Sequence, residues 1–265
     1  MNVLIPMAGA GARFAEAGYA LHKPVIPVSV RRRAGQVPMV VAAIEDLPVD
    51  ARAADLTLVV RDFHLRDGVD AVLRAYYPQA RCVVVDRLTE GQAATCLLAR
   101  AAIDNDAPLL IAACDNGMDI DQARFAQGTE TADVLVFTFR NNPAVLAKPQ
   151  AYGWLHTEGD CVTGTAIKRP VSATPMRDHA VVGTFWFRRG RDFVTLADRM
   201  IAAEDRINGE FYVDQVVHHA LAAGLDVRVL EVDRYICWGT PADYEAYEAS
   251  LAYWRAFAAA EDWVR

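Results

Sequence analysis

Leu4-Ile5-Pro6-Met7-Ala8-Gly9-Ala10-Gly11-Ala12-Arg13-Phe14, with Lys23-Pro24 following ten residues after Arg13, is the stretch from which the fold of this chain is read. A short apolar run that ends in a loop of small residues bares consecutive backbone N–H groups, the arrangement that cradles phosphate between a strand and a helix. Arg13 and Lys23 add fixed positive charge just beyond that loop. Two better-known glycine loops do not fit. A Walker loop needs Lys-Ser or Lys-Thr directly behind its second glycine, and here Ala12, Arg13 and Phe14 follow Gly11. A dinucleotide fingerprint needs a small residue where Phe14 stands and an acid about twenty residues on, where this chain has Arg31-Arg32-Arg33. Gly9 and Gly11 alone would also serve a tight turn, and it is Arg13 and Lys23 that tilt the reading toward nucleotide phosphates.

Outward from that loop, the chain alternates. Apolar, β-rich runs at Val3–Ile5, Leu56–Val60, Cys82–Val85, Leu109–Ala112 and Val134–Phe139 are separated by helical patterns near Val37–Leu47, Leu65–Tyr77 and Gly91–Ala102. This predicts an α/β fold with a doubly wound, mixed but mostly parallel sheet, helices on both faces and the ligand beyond the carboxyl ends of the strands. Residues 153–156, 162–167, 181–188 and 227–231 read as antiparallel additions on the acceptor side, with helices near 192–203 and 212–223. From Pro241 onward, Tyr244, Tyr247, Leu251, Trp254 and Phe257 recur at helical spacing, which reads as core packing. One domain is expected over 1–265, with a nucleotide-binding half at 1–140, an acceptor-binding half at 141–240 and a C-terminal helix at 241–265. With 265 residues and 53% hydrophobic content a large core is attainable.

Charge and cysteine usage narrow the function. A formal charge of −7 argues against a nucleic-acid surface, so a polyanionic substrate must be met by a local basic pocket. The five cysteines lack C-x-x-C spacing, which implies neither a disulfide framework nor a zinc site. No apolar run reaches the length of a bilayer span, and a strand begins almost at once, so a cytoplasmic protein without a membrane partner is expected. A homo-oligomer is left open.

Five motifs carry a resemblance. Pro6 to Phe14, Lys23-Pro24-Val25-Ile26-Pro27-Val28, Glu90-Gly91-Gln92-Ala93-Ala94-Thr95, Cys114-Asp115-Asn116 and Gly239-Thr240-Pro241-Ala242-Asp243 resemble, in order, those of sugar-1-phosphate nucleotidyltransferases. Asn208-Gly209-Glu210-Phe211-Tyr212-Val213 extends the similarity over nearly the whole chain. The resemblance implies a doubly wound domain similar to that of GT-A glycosyltransferases. It also implies a reaction that joins an NTP to a phosphorylated acceptor and releases pyrophosphate. Such chemistry needs no general base, because a phosphate monoester oxygen is already anionic at neutral pH; it needs positive charge, aligned donors and a divalent cation at the phosphates.

The roles follow from that likeness. Arg13, with the loop amides of Ala8, Gly9, Ala10 and Gly11, would hold the β- and γ-phosphates, and Lys23 would bridge toward the α-phosphate. Asp115, at the end of an apolar strand, suits Mg2+. The acid that many relatives place just before the late Gly-Thr-Pro is missing at Ile236-Cys237-Trp238, leaving Asp233 or Asp214 as second-ligand candidates. Gly91 and Gln92 would receive the base. Asp86 stands where relatives often use an amide, and an acceptor-only carboxylate favours the N–H-rich edges of cytosine or guanine, hence CTP or GTP. Gly153, Lys168 and Glu210 are acceptor-site candidates, with Ile167 where relatives commonly have a Glu. The leading reading is a sugar-1-phosphate nucleotidyltransferase. Its alternatives are a cytidylyltransferase for a non-sugar phosphate and a catalytically silent nucleotide-binding regulatory domain.

Overall fold

The computed structural model describes residues 1–261. Its strands are β1 (Asn2–Pro6), β2 (Pro27–Ser29), β3 (Gln36–Pro38), β4 (Asp55–Arg61), β5 (Arg81–Val85), β6 (Leu109–Ile111), β7 (Asn116–Asp119), β8 (Val134–Phe139), β9 (Gly153–Glu158), β10 (Cys161–Ile167), β11 (His179–Phe187), β12 (Val227–Glu231) and β13 (Arg234–Cys237). The helices are α1 (Ala12–Glu16), α2 (Met39–Glu45), α3 (Asp62–Arg66), α4 (Val69–Tyr76), α5 (Gln92–Leu97), α6 (Arg100–Ile103), α7 (Gln122–Thr131), α8 (Ala144–Ala147), α9 (Gly190–Ala202), α10 (Val213–Ala222) and α11 (Pro241–Glu261). Among the described residues no helix is long and apolar enough to cross a membrane.

Nine strands form one mixed sheet in the order β5-β4-β1-β6-β11-β8-β12-β10-β9. The run β5-β4-β1-β6 is parallel throughout, so its carboxyl ends share one edge. Alternation along β1 shows why both faces need helices. Val3 and Ile5 enter one core with Val40, Ile44, Leu73 and Phe125, while Leu4 enters the other with Ala93, Cys96, Phe193 and Val216. The far end of the sheet curls until β9 pairs with the start of β11 through His179 and Ala180.

Some expectations need correction. Residues 227–231 are an antiparallel addition on one side only, because β12 runs antiparallel to β10 but parallel to β8. The reason is connectivity: α9 and α10 run out and back, returning the chain beside Val134, the level at which β11 ended. The helix expected over 65–77 is interrupted by Gly68 at φ +74°, and that over 91–102 breaks between α5 and α6. Asn116–Asp119 is a strand, paired antiparallel with β13 in a separate ribbon. The aromatic stripe of α11 is core only at its start. Tyr244 and Tyr247 donate to the carbonyls of Pro27 and Ser29, whereas Trp254 is 59% and Phe257 45% exposed. The last part of the C-terminal helix expected over 241–265, residues 262–265, lies outside the described residues.

Candidate active site

At the carboxyl end of β1, the Met7 N–H still donates to Val59, and then the backbone leaves the sheet. Gly9 and Ala10 are exposed, and Gly11 takes a left-handed conformation at φ +62° that turns the chain into α1. Phe14, only 1% exposed, fixes that short helix and with it Arg13. Arg13 Nη1 donates to the Gly239 carbonyl at 3.4 Å. Lys23 opens a turn of 3-10 helix that Pro24 stiffens. Its Nζ donates to Asp115 Oδ2 at 2.5 Å and to the Gly239 carbonyl at 3.1 Å. Burial is the largest influence on the Lys23 ammonium and disfavours it, but Asp115 and Cys114 together hold its pKa above the ordinary lysine value.

Asp115 follows β6 and is pinned from the other side, since the Trp238 N–H donates to its carbonyl. The β7–β13 ribbon therefore delivers Asp115 and Gly239 to one spot although they are distant in sequence. Gly239 has no side chain between Asp115 and the Cys237 thiol; a Cβ there would stand 3.6 Å from Asp115 Oδ2 and 3.4 Å from Cys237 Sγ. Burial pushes the Cys237 thiol up to about 11, so it stays protonated near neutrality. Asp243 is committed to capping α11: its carboxylate accepts from Thr240 Oγ1 at 2.6 Å and its N–H donates back at 3.2 Å.

The phosphate-loop residues Gly9 to Arg13, Lys23, Gln92, Asp115 and Gly239 line one cavity of about 500 Å3. His22, Phe63 and His64 form its far wall, with the His22 and Phe63 rings 4.9 Å apart. A larger cavity of about 930 Å3 lies between α7 and the β9–β12 side of the sheet. Two of its arginines, Arg140 and Arg228, are already spent on Glu231 and on Asp226 with Asp160, so the smaller cavity holds the converging chemistry.

Gly91 has a structural duty of its own. At φ +122° it lies against Phe211, and a Cβ would meet the Phe211 N and O at 2.5 Å. The Phe211 N–H donates to Glu90 and the Ala93 N–H to Phe211, which ties the turn before α5 to the segment before α10. Asp86, just after β5, is exposed.

The acceptor-side candidates meet around Tyr212. Lys168 Nζ lies 5.0 Å from the Tyr212 ring centroid and donates to the Ala151 carbonyl at 2.7 Å. Burial, with the Glu210 carboxylate nearby, raises the Tyr212 pKa to about 12, and Asp214 reaches back to Gly153, which must lack a Cβ to admit it. Of the second-ligand candidates, Asp214 thus belongs to this wall. Asp233 is paired with Arg124, beyond the Arg234–Asp119 end of a ribbon whose Cys237–Asn116 end adjoins Asp115. Asp233 therefore stands four residues of extended chain, roughly 13 Å, from Cys237. No group of three or more His, Cys, Asp or Glu side chains suited to a metal gathers among the described residues.

No family model and no curated protein sequence matches this chain. Solved structures do. A nucleoside-diphosphate-sugar pyrophosphorylase from Vibrio cholerae RC9 superposes with a TM-score of 0.74 at 19% identity, covering 92% of this chain and 98% of that one. The inositol-1-phosphate CTP transferase of T. maritima gives 0.66 at 12% identity over 93% of each chain. A UDP-glucose pyrophosphorylase complexed with UDP-glucose gives 0.67 at 16% identity over 96% and 98%. The chain has the fold of these nucleotidyltransferases.

Within this nucleotidyltransferase fold, several site residues go beyond those the motifs single out. Gly239 supplies the carbonyl that gathers Arg13 and Lys23; it stands in the late Gly-Thr-Pro motif, but only the ribbon pairing shows where that motif lands. Phe63 and His64 sit in α3, directly after β4, and carry no sequence signal. Burial holds the His64 pKa down to about 4, aided by His22 and Arg61.

Proposed function

We propose that the protein is a nucleotidyltransferase that joins an NTP to a sugar-1-phosphate, giving an NDP-sugar and pyrophosphate. One observation supports this reading above the rest: Arg13 and Lys23 both donate to the Gly239 carbonyl beside the small-residue loop, and Lys23 also holds Asp115, so three distant stretches of sequence meet at one spot.

An anionic oxygen of the acceptor phosphate attacks the α-phosphorus, and the bond to the bridging oxygen of the pyrophosphate breaks on the opposite side. Arg13 and the loop amides bind the departing β- and γ-phosphates, and the Lys23 ammonium follows negative charge onto the leaving group. Lys23 is charged at every working pH, since its pKa is raised. Mg2+ fits this donor set in a restricted way. Asp115 has one oxygen engaged by Lys23 and the other unengaged, Cys237 is a protonated thiol and Asp243 is a helix cap. Asp115 alone would hold the ion, with phosphate oxygens and water completing its shell. When bound, the cation offsets the charge that spreads over the transferring group.

On the acceptor side, Lys168 binds the phosphate. Asp86 reads the base, which favours CTP or GTP. The test is pyrophosphate release from purified protein with Mg2+, each NTP in turn and a panel of phosphorylated acceptors. At least one pair should turn over, with CTP or GTP raising the melting temperature most. Silence across the panel with no nucleotide-dependent shift refutes the enzyme; an unequivocal dTTP preference refutes the role of Asp86.

A further inference from the structure

Arg13, Lys23 and the loop amides leave the far wall of the cavity, formed by His22, Phe63 and His64, without a part in the reaction. His64 is fixed as a donor. The Arg61 N–H donates to its Nδ1 at 3.2 Å, so the neutral ring carries its proton on Nε2. Burial keeps the ring neutral, holding its pKa down to about 4. The residue is 2% exposed. Among the described residues Nε2 finds no hydrogen-bond partner, yet it is not one of the enclosed partnerless atoms. That N–H therefore opens onto the cavity that His64 lines.

His22 is held by its other neighbours. Its Nε2 meets Asp67 Oδ2 at 2.5 Å, and its ring centroid lies 4.9 Å from that of Phe63 and 5.3 Å from that of His64. With Nε2 on a carboxylate, Nδ1 is the nitrogen left for a ligand, and it has no partner among the described residues. Behind the two rings stands an unbalanced cation. Asp62 pairs with Arg66 at 3.4 Å and Asp67 is taken by His22. Arg61 is left with no ion pair among the described residues, and its Nε is enclosed without a hydrogen-bond partner. An anion on the cavity side would offset the cost of that arrangement. A base would find less. The Phe63 ring already has the Arg61 guanidinium 5.0 Å and the His22 ring 4.9 Å from its centroid, so it is spent on the wall itself.

We propose that His64 and His22, the latter aligned by Asp67, bind the terminal phosphate of the NTP and then the pyrophosphate it becomes, and that this wall makes the site select a triphosphate over a monophosphate. This rests on the nucleotidyltransferase reading. His64 Nε2–H donates to one phosphate oxygen. His22 Nδ1 accepts from a phosphate that carries a proton, or donates to one that does not when the ring is itself protonated, so the pair holds either form. His22 directly precedes Lys23, so the excursion from Gly9 to Lys23 carries the loop amides, Arg13, His22 and Lys23 around one space. α3 closes that space from β4 through the His22–Asp67 bond.

The experiment is calorimetric binding of inorganic pyrophosphate, CTP, GTP, CMP and GMP, with Mg2+, to wild type, His22→Phe and Asp67→Ala. His22→Phe keeps a ring against Phe63 and removes both nitrogens. It is expected to weaken pyrophosphate and the bound triphosphate about ten- to hundredfold, while monophosphate binding and the melting temperature hold. Asp67→Ala gives a result of opposite sign for the two explanations. Removing a negative charge would by itself tighten the binding of an anion, so weaker pyrophosphate binding reports the alignment of His22. Tighter binding in Asp67→Ala, unchanged binding in His22→Phe, or no pyrophosphate binding by wild type overturns the proposal. So does a loss of monophosphate affinity as large as the loss for pyrophosphate, which would assign the wall to the base or to the fold. Turnover is read separately. If no NTP and acceptor release pyrophosphate, the nucleotidyltransferase reading has failed, and the pyrophosphate titrations still decide the wall. If His22→Phe does not fold, the sign of the change in Asp67→Ala decides.

Discussion

Replacing Lys23 by Ala removes the hub of the site. Its Nζ lies 2.5 Å from Asp115 Oδ2, and the two side chains are 17% and 30% exposed. At an effective dielectric constant near 20 the Coulomb attraction is roughly 6–7 kcal/mol. Desolvation of both groups offsets most of it. A half-buried pair falls between an exposed one, at about 0–1 kcal/mol, and a fully buried one whose loss costs about 3–5 kcal/mol, so Lys23→Ala should cost about 2 kcal/mol in urea unfolding. Part of that cost is the Asp115 carboxylate left without its ammonium. A double-mutant cycle with Asp115→Asn should show a coupling of about 1 kcal/mol or more, since each single change strands the other partner. On turnover, loss of a cation poised at the leaving group should lower the rate of pyrophosphate release by about 100- to 1000-fold. The activity of wild type should show no ionisation assignable to Lys23 below about pH 10, its pKa being raised above 10.5. A stability change under about 0.5 kcal/mol together with turnover within about twofold of wild type would refute both the pairing and the mechanism.

Gly91→Ala should lower stability by about 3 kcal/mol, because its Cβ would meet the Phe211 backbone at 2.5 Å and its φ of +122° disfavours a side chain; a drop under about 1 kcal/mol in urea unfolding removes the packing argument for this glycine. Burial holds the His64 pKa down to about 4, against the ordinary histidine value of 6.5. The unfolded chain therefore binds more protons between those values, so stability is intact above about pH 6.5 and falls by roughly 2–3 kcal/mol as pH drops to about 4. His64→Gln should flatten that part of the stability–pH curve, and an unchanged slope would show that other groups carry it.

The parallel half of the sheet was readable because its strands are apolar without interruption, as burial on both faces demands: Val3, Leu4 and Ile5 are all 0% exposed. β7 was not readable for the opposite reason. Asn116-Gly117-Met118-Asp119 has no period of its own, and it is extended only because Arg234–Cys237 pairs with it from the far end of the chain. The same non-local contact hides the burial of Arg31 within the basic run Arg31-Arg32-Arg33. Arg31 is 13% exposed and pairs with Asp46 at 3.0 Å and Asp119 at 2.9 Å, and the acids that enclose it are invisible in the local composition. The outer half of α11 fails in a third way, since helical spacing announces an apolar stripe but not whether anything is packed against it.

In the site, the motifs marked Arg13, Lys23 and Asp115, while their mutual placement hangs on a main-chain carbonyl, which no side-chain pattern can announce. Gly239 matters for its oxygen and for its missing Cβ, so the late Gly-Thr-Pro is as much a scaffold for the two cations as a signature. That bears on the absent second acid. Of the charged groups that meet at Gly239, two are cations and one is a carboxylate, and the neighbouring Cys237 thiol adds no charge near neutrality. Arg13, Lys23 and Asp115 together carry one surplus positive charge before any ligand arrives, the sign that a triphosphate requires, and the Asp243 carboxylate, 3.5 Å from Cys237 Sγ, opposes it. An acid in place of Cys237 would cancel that surplus and would place a second carboxylate beside Asp115, each raising the cost of ionising the other unless a cation stood between them. Cys237 leaves Asp115 with Lys23 as its partner.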